Sequence, residues 1–184
     1  MGALVKGTQS AALNEQEGEE HNQYLTFSLG GEMFAIGILV IKEIIEYGGL
    51  TEVPMMPEFI RGVINLRGAV VPVVDLSARF GRKRTEVTRR TCIVIIEVES
   101  DDGKHDVGVV VDSVSEVLEI AAGEIEPSPS FGTRIRADFI QGMGKVNGKF
   151  VIILSVNNVL SLDDLAMLEH AAGTERQPLP HAGD

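Results

Sequence analysis

Apolar and polar residues alternate at the start of the folded region. The segment Tyr24-Leu25-Thr26-Phe27-Ser28-Leu29 has a period of two, which is typical of a half-buried β-strand. Gly30-Gly31 then supplies a turn, and Met33 to Ile36 returns as a second strand. The run from Ile38 to Ile45 is almost wholly apolar, and its Ile and Val content favours a strand over a helix. This part of the chain therefore predicts β structure.

An internal repeat covers most of the sequence that follows. Phe59-Ile60-Arg61-Gly62 reappears 80 residues later as Phe139-Ile140-Gln141-Gly142. Upstream, Glu43-Ile44-Ile45-Glu46 matches Glu116-Val117-Leu118-Glu119 at an offset of 73. The change of offset indicates about seven extra residues in the second copy, most simply around 131–138. Two copies of one β-rich unit therefore follow one another along the chain.

The two units define the predicted domain organisation. Each holds about five short strands separated by turn signals, which predicts small barrels or sandwiches. We place the first unit at about residues 24–85 and the second at about 91–160. We expect them to share apolar surface, because a unit of roughly 65 residues is marginally stable alone. We expect residues 1–22 to be a disordered leader and residues 174–184 to be a disordered tail. We expect residues 161–173 to form a C-terminal helix.

Charge and composition narrow the range of functions. The chain has a formal net charge of -11, 5% aromatic residues and no Trp, which disfavours binding to nucleic acid. A segment that we interpret as a solvated linker contains a cluster of basic residues, namely Arg79, Arg82, Lys83, Arg84, Arg89 and Arg90. No apolar run reaches the roughly 20 residues that a membrane span needs, and no signal peptide is visible. A lone cysteine suits a reducing compartment, so we expect a cytoplasmic protein without direct membrane insertion.

No group of catalytic or metal-binding residues is evident. The four histidines are scattered, and Cys92 has no basic partner that could activate it, which favours a buried, inert thiol. The glycine-rich run 142–149 lacks the spacing of a dinucleotide fingerprint or a P-loop, and Asn147-Gly148 is better explained as a hairpin turn. The acids between 112 and 119 are interpreted as solvent-facing. The sequence predicts no cofactor, no metal and no enzymatic activity.

One difference between the two copies points to a partner. The hairpin position held by Asn147 in the second copy is held by Arg67 in the first, and a glycine follows each, Gly148 or Gly68. If the two turns are alike, Arg67 has a positive φ that costs roughly 1 kcal/mol or more. A long cation at the tip of such a turn then serves a partner rather than the turn. The alternative is a first turn of different geometry that suits arginine.

Residues 23–160 resemble the CheW coupling proteins of bacterial chemotaxis. The resemblance depends most on Arg61-Gly62-Val63-Ile64-Asn65-Leu66-Arg67-Gly68 and on Val70-Val71-Pro72-Val73-Val74-Asp75-Leu76. Further matches are Ile41-Lys42-Glu43-Ile44-Ile45 and Val114-Ser115-Glu116-Val117-Leu118. The resemblance implies an all-β fold of two tandem SH3-like five-stranded β-barrels with pseudo-twofold symmetry, accompanied by short helices and a C-terminal helix.

The resemblance also implies partners and binding residues. Members of this family bridge the cytoplasmic tips of methyl-accepting chemoreceptors to the regulatory domain of the histidine kinase CheA, and ring assembly is possible. The receptor tip occupies an apolar groove between the barrels. The implied receptor-binding residues are Ile41, Glu43, Ile44, Gly62, Arg67, Gly68, Val114 and Val117. The implied kinase-binding residues are Leu50 in the first unit and Phe131 in the second.

Other functions stay open at this point. The same fold could form the adaptor half of a CheV-like protein, although no receiver-like segment is visible, or a scaffold of another receptor–kinase pathway. A β-barrel that binds nucleic acid or a small ligand is disfavoured by the net charge and by a glycine spacing that matches neither a dinucleotide fingerprint nor a P-loop. An enzyme with an unrecognised site is the third alternative.

Overall fold

The structure, a computed structural model, describes residues 23–101, 103–127 and 135–160. Its strands are β1 (Gln23–Leu29), β2 (Glu32–Gly37), β3 (Ile41–Glu46), β4 (Ile60–Leu66), β5 (Ala69–Asp75), β6 (Cys92–Ser100), β7 (Gly103–Val111), β8 (Ser113–Glu119), β9 (Ile125–Glu126), β10 (Ile140–Val146) and β11 (Lys149–Leu154). Its helices are α1 (Leu76–Arg79) and α2 (Val156–Val159). No helix in these ranges is long and apolar enough to cross a membrane. Phe131 and the predicted leader, C-terminal helix and tail lie outside the described residues.

The strands form two sheets of the same design. Sheet one has the order β3-β6-β7-β5-β4, and sheet two has the order β8-β1-β2-β11-β10-β9. In each sheet one parallel pair joins two hairpins. Val73 pairs with Gly108 in sheet one, and Ile152 pairs with Phe34 in sheet two. Apart from β9, the two orders correspond strand for strand, as the internal repeat predicts.

Each copy of the repeat contributes strands to both sheets. The hairpin β1–β2 comes from the first copy but lies in sheet two, and the hairpin β6–β7 comes from the second copy but lies in sheet one. The predicted division into residues 24–85 and 91–160 therefore does not match the two sheets. The alternation that predicts a hairpin specifies which face is buried, but not which sheet the hairpin joins.

Both sheets close into small barrels. Thr51, which follows β3, forms an antiparallel bridge with Val63 of β4, so the two ends of sheet one meet. In sheet two, β9 follows β8 along the chain and pairs with β10. The contact in sheet one is close, because a Cβ atom added to Gly62 would clash with the Thr51 carbonyl oxygen. The predicted pair of small β-barrels is confirmed.

A shared apolar core joins the two barrels. One face of each sheet packs against a separate apolar cluster, which contains Ile93 in sheet one and Ile153 in sheet two. The opposite faces meet in a larger cluster that contains Phe27 and Phe34 from sheet two and Val94 from sheet one. Burying a phenylalanine side chain contributes roughly 2 kcal/mol. The shared core therefore makes the two barrels depend on each other for stability.

The apolar run from Ile38 to Ile45, predicted as one strand, is divided in the structure. Ile38–Val40 forms a turn of 3-10 helix, and the strand β3 begins at Ile41. Because β2 lies in sheet two and β3 in sheet one, the chain has to leave one sheet at this point. A continuous strand cannot make that crossing, and the 3-10 turn does.

A buried ion pair fixes the linker between the copies. Asp75 is fully buried and accepts hydrogen bonds from Arg61 Nε at 2.8 Å and from Thr85 N at 3.0 Å. Arg61 Nη2 also donates to the carbonyl oxygen of Thr85. The second copy has Gln141 and Ser155 at the matching positions, so the pair has no counterpart there. This difference between the copies is the signal in the sequence from which the pair can be recognised.

Candidate protein-docking site

Strands β3 and β8 are the outer strands of their sheets and hold equivalent places in them. Ile41 on β3 and Val114 on β8 are half-buried against the shared core. Ile44 and Val117, three residues further along each strand, are 42% and 47% exposed. All four residues pair with residues of the shared core on the neighbouring strands β6 and β1. We call these four residues the furrow.

Cys92 connects the two sides of the furrow. It pairs with Glu46 at the end of β3. Its thiol donates a hydrogen bond to the carbonyl oxygen of Arg90 at 3.2 Å, and the backbone of Val114 on β8 lies close enough to influence its pKa. Burial raises the pKa of the Cys92 thiol, the Glu46 carboxylate raises it further, and the nearby backbone of Val114 lowers it. Strands β3 and β8 therefore approach each other at Cys92. The four apolar residues are not sealed inside separate cores.

Arg67 lies at the tip of the β4–β5 hairpin, as Asn147 does in the β10–β11 hairpin. Their φ angles are 53° and 52°, and the following glycines also have positive φ, which is the pattern of a type I′ turn. The two turns are therefore alike, and the alternative of a different first turn is wrong. Arg67 Nη2 lies 2.6 Å from Glu43 Oε2, and the Arg67 side chain is 75% exposed. Glu43 holds the guanidinium beside β3, with most of its surface open to a second protein.

Gly62 and Gly68 shape the hairpin that carries Arg67. Gly62 is buried against the Thr51 backbone, so it offers no surface of its own and can support docking only indirectly. Gly68 has a φ of 87°, and its backbone N donates to Asn65 Oδ1 at 2.9 Å. Both glycines therefore have visible roles inside the fold.

The structure places Leu50 outside the furrow. Leu50 is half-buried and packs against the cluster inside sheet one rather than against the shared core. Phe131 lies outside the described residues. The kinase-binding roles of both residues stay predictions.

Residues 23–164 match the family model of the CheW-like domain. The chain belongs to the CheW family. The chemotaxis protein CheW of Klebsiella aerogenes is 33% identical over 165 residues, which cover 90% of this chain and 95% of that protein. The chemotaxis protein CheW of Rhizobium meliloti is 32% identical over 142 residues, which cover 77% of this chain and 89% of that protein. The crystal structure of the scaffolding protein TtCheW from Thermoanaerobacter tengcongensis has a TM-score of 0.70 and 33% identity, covering 78% of this chain and 94% of that chain.

The fold of this CheW-family chain also exposes apolar residues that the sequence analysis missed. Val70 and Phe150 are 70% and 52% exposed and hold matching positions just after the two hairpin turns. Leu39 and Met55 are exposed as well. The sequence could have revealed Val70 and Phe150, because they are 80 residues apart, which is the offset of the repeat, and each lies next to a turn. Neither residue belongs to the furrow.

Cys92 and His105 are candidate reactive groups among the described residues. Among these residues no group of three His, Cys, Asp or Glu side chains could hold a metal ion. His105 Nε2 lies 2.8 Å from Ser100 Oγ at the end of the β6–β7 hairpin. The raised pKa of Cys92 keeps its thiol protonated at neutral pH.

Proposed function

We propose that this CheW-family chain is a non-catalytic adaptor that couples the cytoplasmic tips of chemoreceptors to the histidine kinase CheA. The observation that carries the proposal is the furrow, in which Ile44 and Val117 are exposed on two outer strands that approach each other at Cys92. Membership of the CheW family and the names of the relatives as chemotaxis proteins support the same function. The protein acts in the cytoplasm and reaches membrane-associated receptor arrays through its partners.

The receptor tip docks as a helix in a groove. An apolar stripe on the receptor helix covers Ile44 and Val117, which removes their exposed surface from water. Arg67 fixes the position of the helix along the furrow by donating hydrogen bonds to receptor carbonyl or carboxylate oxygens. Its ion pair with Glu43 orients the guanidinium before binding, which reduces the entropy lost when the partner arrives.

The kinase contact uses different surfaces of the two barrels. The regulatory domain of CheA binds near Leu50 in sheet one and near Phe131, and the same surfaces allow ring assembly with CheW-like domains. Because Leu50 packs inside sheet one and not in the furrow, one molecule can hold a receptor and a kinase together. Each contact can be weak, since the arrays are multivalent and raise the effective concentration of every partner.

The proposal is tested by co-sedimentation of the purified chain with receptor-containing membranes and CheA. Replacing Ile44→Asp and Val117→Asp together places two charges in the furrow without altering a fully buried residue. We expect the double variant to lose receptor-dependent sedimentation and receptor-dependent kinase activation, because the charges have to be desolvated on docking.

Val87→Asp is the matched control, since Val87 is an exposed valine of the linker, at 52% exposure, and lies outside the furrow. This control variant should sediment and activate the kinase like the unmodified chain. Normal co-sedimentation of the furrow double variant, in a sample whose fold is intact by circular dichroism, contradicts the proposal.

A further inference from the structure

An open groove of about 1160 Å³ lies beside the linker that follows α1. Its lining combines basic residues of the linker, Arg82 and Lys83, with apolar side chains that include Phe80, Met143 and Ile152. A site of this kind suits an amphipathic segment that carries acidic residues next to apolar ones.

The lining of the groove carries three basic residues, Arg82, Lys83 and Arg84, and three acidic ones, Glu32, Glu86 and Asp112, and two of the acids already have partners. Arg82 Nη2 pairs with Glu32 at 2.6 Å, and Asp112 accepts a hydrogen bond from Gly30 N at 2.7 Å. Arg84 donates to the backbone carbonyl oxygens of Glu58 and Ile60, contacts that leave its positive charge uncompensated. Glu86 is the remaining acidic residue of the lining. Within the described ranges no ion pair engages Lys83, Arg84, Arg89 or Arg90.

The segment from 161 to 184 has the complementary composition. It contains five carboxylates and one arginine, whereas residues 81–90 of the linker contain five basic residues and one glutamate. The acids Asp163 and Asp164 stand next to Leu162 and Leu165, and a third leucine follows at helical spacing. A helix over this segment therefore carries an apolar stripe beside a pair of negative charges.

The segment also starts close to the groove. Leu160 is buried in the shared core, and the carbonyl oxygen of Val159 accepts a hydrogen bond from Arg79 Nε at 2.8 Å. Arg79 and Arg82 are three residues apart, so their Cα atoms are separated by at most about 11 Å. The first four residues after Leu160 can span roughly 14 Å. The tether gives the segment a high effective concentration at the groove, which favours it over an unlinked acidic peptide.

We propose that the acidic segment 161–173 docks within the same molecule into the groove beside the basic linker. Asp163 and Asp164 pair with Lys83 and Arg84, and the leucines of the segment cover the apolar lining. The linker that joins the two copies of the repeat is thereby held from both sides, by the Arg61–Asp75 pair within sheet one and by the docked segment.

The test is disulfide formation in the full chain with Cys92→Ser as background. Glu86→Cys places a thiol in the groove, and Ala166→Cys places one in the segment. The matched control combines Ala166→Cys with Lys104→Cys, because Lys104 lies at the β6–β7 turn, the pseudo-twofold equivalent of the β1–β2 turn beside the groove. We expect an intramolecular disulfide to form at least about tenfold faster in the groove pair than in the control pair.

Charge reversal tests the same contact. In the groove pair, replacing Asp163→Lys and Asp164→Lys should slow disulfide formation to the rate of the control pair. Adding Lys83→Glu should restore part of that rate. Equal rates in the groove and control pairs, a faster reaction in the control pair, or disulfide-linked dimers instead of monomers would each overturn the proposal. If charge reversal leaves the rate of disulfide formation in the groove pair unchanged, the proposed pairing of the two aspartates with the linker is overturned.

Discussion

Arg67 occupies a left-handed turn position in which glycine, asparagine and aspartate are the usual residues. Holding an arginine there costs about 1 kcal/mol. Its ion pair with Glu43 returns at most about 1 kcal/mol, because the guanidinium is 75% exposed and screened by water. The hairpin therefore gains little from the arginine, and the second copy forms the same turn with Asn147. A role in binding accounts for the residue better than a role in stability.

Replacing Arg67→Asn copies the turn of the second repeat. We expect the free energy of unfolding to stay constant or rise by up to about 1 kcal/mol, since relief of backbone strain offsets the lost ion pair. Receptor binding should weaken in the same variant. Urea denaturation measures the first effect, and titration with a soluble receptor fragment measures the second. A marked loss of stability, or unchanged receptor affinity, would contradict this account of Arg67.

The Arg61–Asp75 pair gives a second prediction for single residues. Asp75→Asn leaves the guanidinium of Arg61, whose side chain is 14% exposed, without a charged partner. We expect this variant to lose about 3 kcal/mol in the free energy of unfolding. The double variant Arg61→Gln and Asp75→Ser, which copies the second repeat, should lose less, because it leaves no unpaired buried charge. Urea denaturation of the unmodified chain and of the two variants measures these losses. A double variant less stable than Asp75→Asn would refute the prediction.

Strands β3 and β8 are the elements on which the proposed docking depends, and Cys92 reports on their contact. Because the pKa of Cys92 is raised, its reactive thiolate forms only at a pH above that of a free cysteine. The rate of alkylation by iodoacetamide should therefore reach half its maximum above pH 9.0, the ordinary value for the thiol.

Glu46→Gln is the control for this titration, since removing the carboxylate removes one cause of the raised pKa. The midpoint of its alkylation profile should lie below that of the unmodified chain. A midpoint at or below pH 9.0 in the unmodified chain would contradict the raised pKa of the thiol and the approach of β3 and β8 at Cys92.

The elements that the sequence predicted best are those with a local signal. The alternation around Leu25 and the Asn147-Gly148 turn predicted hairpins that the structure contains. The crossing at Ile38–Val40 was missed because an apolar run looks the same whether it stays in one sheet or passes between two. Arg67 stood out through comparison of the two copies, whereas the four furrow residues came from the family resemblance. Their exposure depends on which strands lie outermost, and the sequence pattern does not specify strand order.

The whole molecule is organised by the exchange of hairpins between the copies. Hairpin β1–β2 completes sheet two and hairpin β6–β7 completes sheet one, so neither copy holds all the strands of a barrel. The exchange also brings the outer strands β3 and β8, one from each copy, to the two sides of the furrow. The proposed docking surface is therefore a consequence of the topology as well as of the residues that line it.

Cutting the linker tests this organisation. A recognition sequence for a specific protease, inserted between the exposed residues Arg89 and Arg90, allows cleavage between the copies. We expect the two fragments to stay together and to elute as one species in gel filtration, since the exchanged hairpins and the shared core still connect them. Fragments that separate without denaturant would contradict the hairpin exchange.

The central claim is that a receptor tip docks into the furrow, and methyl NMR tests it most directly. The chain, labelled at its Ile and Val methyl groups, is titrated with a soluble chemoreceptor tip fragment. The account predicts that the signals of Ile41, Ile44, Val114 and Val117 shift together with one affinity, while the signal of the exposed Val87 stays in place. Saturating binding that leaves the four furrow signals unmoved would contradict the account.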